Sequence, residues 1–122
     1  MTDNLLVDTN AVLYALRGVP HVAKLLEKQI INISFITEIE LLSWPLLNEP
    51  DSSLIKKFIG PCRVMEYSSQ LKYAVIEVRK KYKLKIADAF IAATAIQYEI
   101  PLVSADLVFE KVKEINFLKI NL

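Results

Sequence analysis

The apolar run NLLV at residues 4–7 stops at Asp8 and is followed by Thr9 and Asn10. A buried strand that ends this way carries a carboxylate to the rim of an α/β sheet, where such folds place their ligands. Three more acids recur in comparable settings, namely Glu40, Asp88 and Asp106. Two carboxylates about 4 Å apart repel by about 4 kcal/mol at an effective dielectric of about 20. A cluster of three or four therefore holds protons or binds a hard cation. All-oxygen ligand sets suit Mg²⁺ or Mn²⁺. Such an ion activates water and stabilises charge on a leaving oxygen, which is the chemistry of phosphodiester hydrolysis.

Each acid also has a plainer use. Asp8 with Thr9 and Asn10 would make a good helix N-cap. Asp88 stands in the first turn of a helix, where a carboxylate complements the partial positive charge of the helix start. Asp106, between PLVS and LVFEKV, would cap the next helix, with Ser104 in the same turn. Glu40 has a competitor in Glu38. On a helix of 3.6 residues per turn the two lie about 200° apart, on either side of an apolar face formed by Phe35, Ile36, Ile39 and Leu42. Periodicity does not choose between them.

Positioning these side chains requires an alternating fold. Short Val/Ile/Leu-rich runs predict strands near 4–8, 30–34, 62–67, 101–104 and 116–121. Longer periodic segments predict helices near 10–17, 20–29, 36–46, 51–60, 68–83, 86–99 and 106–113. This alternation predicts a three-layer α/β/α domain on a mainly parallel, roughly five-stranded sheet. All five prolines fall at element boundaries, where the missing N–H is tolerated. The segment IADAFIAATAIQYE at 86–99 is apolar nearly all round and rich in alanine, so it should be buried on most sides and packed close to the sheet.

At 122 residues the chain is expected to be one domain over 1–122 with a real core. A composition 53% hydrophobic and 24% charged argues against disorder. Asp88, Glu99 and Asp106 break the longest apolar stretches, so no bilayer span is expected. No basic segment precedes an apolar one in the manner of a signal peptide. The single Cys62 cannot form an internal disulfide; a reduced, cytoplasmic setting fits best. It should begin a buried strand as a small hydrophobe. His21 is expected on a surface helix and Trp44 in packing. Two glycines, Gly18 and Gly60, exclude a phosphate-binding P-loop or a dinucleotide fingerprint.

A net charge of +1 implies no nucleic-acid binding by itself, but the local pattern does more. Arg79, Lys80, Lys81, Lys83 and Lys85 crowd around Tyr82 just before Asp88. Such a cluster can hold phosphates, with an aromatic to stack a base. It can equally be a solvated helix C-terminus whose cations complement the macrodipole.

Taken in order, four segments resemble the PIN domain family, and within it the VapC-type toxins of bacterial toxin–antitoxin pairs. LLVDTNAVLYALRG resembles the opening strand with its metal-binding Asp8, accompanied by Thr9 and Asn10. ISFITEIELL resembles the motif in which a threonine precedes the acid by three residues, which points to Thr37 and Glu40. KIADAFIAATAI carries the third acid, Asp88. LVSADLVFEKV resembles the fourth motif, with Asp106 as the acid and Ser104 where threonine is more usual. Trp44 stands where many relatives have a small residue. The resemblance implies a ribonuclease with Mg²⁺ or Mn²⁺ held by Asp8, Glu40, Asp88 and Asp106. Thr9, Asn10, Thr37 and Ser104 would orient carboxylates or water, and Arg79, Lys81, Lys83 and Lys85 would steer RNA phosphate. It also implies a homodimer, a cognate antitoxin, and transfer, ribosomal or messenger RNA as substrate. Two other classes stand beside it. One is a haloacid-dehalogenase-type phosphatase, suggested by Asp8-Thr9-Asn10, although Asn10 cannot act as its general acid. The other is a non-catalytic receiver-like or PIN-like binding module.

Overall fold

The structure, a computed structural model, describes residues 3–43 and 49–121. β1 (Asn4–Val7) leads into α1 (Thr9–Leu16) and α2 (Pro20–Leu26). β2 (Ile30–Ser34) is followed by α3 (Phe35–Leu42) and α4 (Glu49–Ile59). β3 (Arg63–Met65), α5 (Ser69–Tyr82), α6 (Ile86–Tyr98) and β4 (Leu102–Ser104) come next. A 3-10 helix over Leu107–Lys111 and β5 (Phe117–Lys119) complete the order.

All strand pairings are parallel and the sheet order is β3-β2-β1-β4-β5. The chain winds outward from β1 to β3, then returns to add β4 and β5 on the other side of β1. The order therefore reverses between β1 and β4, and the crevice beyond their C-terminal ends is where open α/β sheets bind ligands. A receiver-like module would carry the order 2-1-3-4-5, so the observed order corrects that alternative.

Alternation along the strands sorts the core into two layers. Leu5, Val7, Ile33 and Val103 pack with α1, α2, α3 and α4. Leu6 and Leu102 face α5, α6 and Phe109. Ala89, Ala92, Ala93 and Ala95 of α6 are fully or almost fully buried, so the alanine-rich helix does lie against the sheet. Ala92→Leu should destabilise the protein by about 1–3 kcal/mol, because a packed interior cannot absorb added methylenes without strain. Urea denaturation of the two proteins measures this.

Several boundaries differ from expectation. The helix expected over 20–29 ends at Leu26, because Lys28 turns left-handed (φ 64) before β2. The segment expected as helix 106–113 is a short 3-10 helix. The expected helix 36–46 ends at Leu42; its remainder beyond Ser43, with Trp44, lies outside the described residues. β3 is an edge strand with Arg63 exposed. Cys62 precedes it, half-buried, and donates its thiol to the Phe58 carbonyl at 3.2 Å. Burial pushes that thiol to a pKa of about 11, which leaves it unreactive at neutral pH. His21 is exposed on α2.

Gly18 has a structural duty at the end of α1. Its φ of 80° lets its N–H reach the Ala15 carbonyl at 3.1 Å while the Val19 N–H reaches Tyr14 at 3.1 Å. This is a Schellman closure, which favours glycine at the left-handed position.

Candidate metal centre

Asp8 follows β1 directly and has two tasks. Its Oδ1 accepts the Ala11 N–H at 3.0 Å, capping α1, and its Oδ2 accepts the Ser104 hydroxyl from the end of β4. Ser104 in turn accepts the Asp106 N–H at 3.0 Å. One buried hydroxyl thus ties the first acid to the backbone of the fourth across the switch point. Asp106 itself accepts the Val108 N–H at 3.0 Å. Capping is real for both aspartates, and it does not remove either from the crevice.

α3 settles which glutamate lines the cleft, and it is Glu40. Ser34 caps it by accepting the Ile36 N–H at 3.1 Å, which fixes the helix phase. Thr9 then donates to Glu40 Oε1 at 2.6 Å, and its hydroxyl lies 3.2 Å from that of buried Thr37. Glu38 is on another face. Asp88, in the first turn of α6, accepts no hydrogen bond among the described residues. Thr9, Asn10, Asp8, Glu40, Asp88 and Asp106 line one cleft of about 140 Å³. Ala87, Ile91 and Phe109 form its apolar part. Sequence reasoning missed these three, although Ile91 and Phe109 each follow an acid by three residues, the spacing of helical neighbours.

The electrostatics show that the acids feel one another. Burial raises the pKa of Asp8 first of all; Ser104 and the Ala11 N–H oppose this, and Asp106 and Asp88 add to it. Asp88 is also raised, by burial, then by Asp106, with Lys85 opposing and Glu40 adding. Among the described residues no three of these carboxylates form a ready-made cage for an ion. Asp8 accepts from Ala11 and Ser104, Glu40 from Thr9 and Asp106 from Val108, so each of these three acids is turned to donors of its own. An ion that keeps several of its waters does not need a closed cage. The carboxylate-only donor set and the unbonded Asp88 fit such an ion.

The basic run is divided by the fold. Arg79 Nε donates to the Leu84 carbonyl at 3.1 Å, closing the turn between α5 and α6. Lys81 pairs with Glu114 at 3.2 Å. Tyr82 also donates to Glu114 and accepts the Lys113 N–H at 3.2 Å, so its ring is held rather than free. Lys83 takes the left-handed position after α5 (φ 56). Lys85 precedes α6, and its charge reaches Asp88.

Among curated proteins none matches the chain in sequence. Solved structures do match in fold. The chain is similar to VapBC2 from Rickettsia felis bound to a DNA fragment from their promoter, with TM-score 0.83, 22% identity, and coverage of 95% of this chain and 98% of that one. It is similar to DNA-bound VapBC from Salmonella typhimurium, with TM-score 0.82, 23% identity and 98% of each chain covered. A toxin–antitoxin complex from Klebsiella pneumoniae matches with TM-score 0.80, 23% identity, and 91% and 94% covered. The family model described as PIN domain matches residues 5–115, which takes in nearly all of β1, all of β2, β3 and β4, and every acid of the cleft. The chain belongs to the PIN domain family.

Proposed function

We propose that this protein is a divalent-metal-dependent endoribonuclease, the toxin of a VapBC-like toxin–antitoxin pair. One observation carries the reading: Asp8, Glu40, Asp88 and Asp106, from four separate parts of the chain, line a single cleft at the switch point. These acids would hold Mg²⁺ or Mn²⁺, which suits all-oxygen ligands. When bound, the ion supplies an activated water and neutralises charge on the leaving oxygen. The chain's own residues do the rest. Thr9, backed by Thr37, fixes the Glu40 carboxylate, and Ser104 fixes Asp8. Asn10 offers an amide at the cleft wall. Lys85, whose charge reaches Asp88, would receive a phosphate beside the acids, and Arg79, Lys81 and Lys83 would steer the RNA further along. The similar solved structures are toxin–antitoxin complexes, which supports a cognate antitoxin that occludes the cleft. The protein would act as a homodimer in the cytoplasm on transfer, ribosomal or messenger RNA.

A second reading, a PIN scaffold that binds without cleaving, draws on the lack of a ready-made cage among the described residues. Calorimetry with Mn²⁺ separates the two: wild type should show a saturable site that Asp88→Asn removes. Mn²⁺ heats identical in both proteins would favour the scaffold. Ser104→Ala should weaken Mn²⁺ binding by about 10–100-fold, the usual cost of losing a group that orients a metal ligand. Ser104→Thr, which keeps the hydroxyl, should bind as wild type does.

A further inference from the structure

The turn between α5 and α6 is tied down along its length. Lys83 ends α5 in the left-handed conformation (φ 56) and gives its N–H to the Arg79 carbonyl at 2.8 Å. Leu84 is buried, and its carbonyl accepts the Arg79 Nε–H at 3.1 Å. Lys85 then opens α6, its own carbonyl accepting the Ala89 N–H at 2.9 Å. A buried leucine between two exposed lysines fixes the backbone and leaves both cations in solvent. Among the described residues neither Lys83 nor Lys85 takes part in an ion pair.

A further tie comes from far along the chain. Glu114 lies between the 3-10 helix that Asp106 caps and β5. Its neighbours Val112 and Ile115 pack into the same core layer as Tyr82 and Leu84, so the carboxylate has a fixed seat. Tyr82, the residue just before the turn, donates its hydroxyl to Glu114 and accepts the Lys113 N–H at 3.2 Å, while Lys81 pairs with the same carboxylate at 3.2 Å. From this clasp the chain leads back from Glu114 to Asp106 and forward from Tyr82 through Lys85 to Asp88, and both of those acids line the cleft. By charge alone an acid beside a basic turn opposes a nucleic-acid backbone, so any benefit Glu114 brings to RNA binding is geometric. We propose that Glu114 is a positioning residue for RNA: through Tyr82 it holds the 83–85 turn to the Asp106 side of the cleft, so that Lys83 and Lys85 stand as a preset pair of phosphate contacts. The proposal rests on the nuclease reading for its ligand, but its test reads binding without metal, so either can fail while the other stands.

Fluorescence anisotropy of the full chain with a labelled single-stranded RNA of mixed sequence, in EDTA and over a range of salt, tests it. Wild type should bind. Lys83→Asn, in which the new residue tolerates the left-handed turn, and Lys85→Ala should each lower the slope of log affinity against log salt by about 0.7, the loss of one phosphate contact on a single strand. Glu114→Ala and Glu114→Gln remove the same charge but differ at the clasp, because glutamine still offers Tyr82 a carbonyl acceptor and alanine offers none. Glu114→Ala should weaken binding by about fivefold, whereas Glu114→Gln should bind at least as tightly as wild type. Tyr82→Phe should match Glu114→Ala, and combining the two should cost no more than either alone, since both break one bond. A wild type that does not bind the RNA overturns the proposal. So do Glu114→Ala and Glu114→Gln proteins that bind alike, a Tyr82→Phe protein that binds as wild type does, or lysine variants whose salt slope is unchanged.

Discussion

Asp88→Asn should lower Mn²⁺-dependent RNA cleavage by about a hundredfold to a thousandfold, the usual cost of removing a single preorganised electrostatic group from an active site. Asp88 is the informative choice among the four acids. Asp8 caps α1 and Asp106 caps the 3-10 helix, so replacing them risks changing local structure. Asp88 accepts no hydrogen bond among the described residues, and asparagine keeps its size. A loss of cleavage in this variant reports on charge in the cleft. The assay is cleavage of a labelled RNA at saturating Mn²⁺, with circular dichroism to show that the variant is folded. Cleavage unchanged in Asp88→Asn would end the nuclease reading. Asp8→Asn should lose comparable activity, since it removes the carboxylate that Ser104 holds.

The same substitution should have the opposite effect on the fold without metal. Asp8 and Asp88 both titrate above the ordinary value of 3.8, chiefly because burial disfavours their charged forms. A group whose pKa is raised by folding stabilises the native state fully below its unfolded pKa. That contribution is lost as pH rises through the raised native value. These two acids therefore make the metal-free protein less stable between about pH 4 and neutrality, set against the helix-start attraction of about 0.3–1 kcal/mol that favours Asp88. Because the raised pKa shows that the charged form is disfavoured on balance, Asp88→Asn should raise the metal-free melting temperature at pH 7, and the gain should shrink toward pH 4. Metal should reverse the ranking. At a hundred times its dissociation constant a ligand stabilises by about 2.7 kcal/mol, which for a chain of this length is a rise of about 10 °C. Wild type should show that rise with Mn²⁺ and Asp88→Asn should not. Melting curves with and without Mn²⁺ at several pH values measure both effects; a variant less stable than wild type without metal would show that the cleft carries no such electrostatic cost.

Much of the fold was legible in the chain. The runs at 4–7, 30–34 and 102–104, rich in Val, Ile and Leu, read as strands of a parallel sheet covered on both faces, and all three were placed within a residue. The alanine-rich segment 86–98 declared a buried helix by the same logic. What failed were ends and one type, the segment expected as helix 106–113 being a short 3-10 helix. Lys28 stops α2 through a left-handed backbone that lysine does not advertise, and the edge strands β3 and β5 are shorter than their hydrophobicity suggested because pairing on one side only holds the middle of each. The four motifs pointed to the PIN domain family, to which the match over residues 5–115 assigns the chain.

For the candidate site the division is sharper. By itself the sequence determined which oxygen-bearing side chains were on offer, in what order, and on which kinds of element, since type and local periodicity are properties of short segments. It left Glu38 and Glu40 equivalent as judged by periodicity, the caps and the cleft acids in competition, and the basic run as one undivided cluster. Only the tertiary structure decided these, because each depends on contacts between residues far apart in the chain: Thr9 reaches across to Glu40, Ser104 joins Asp8 to Asp106, and Glu114 claims Lys81 and Tyr82 while Lys85 is left beside Asp88. Strand order sets those distances, and no local pattern encodes it.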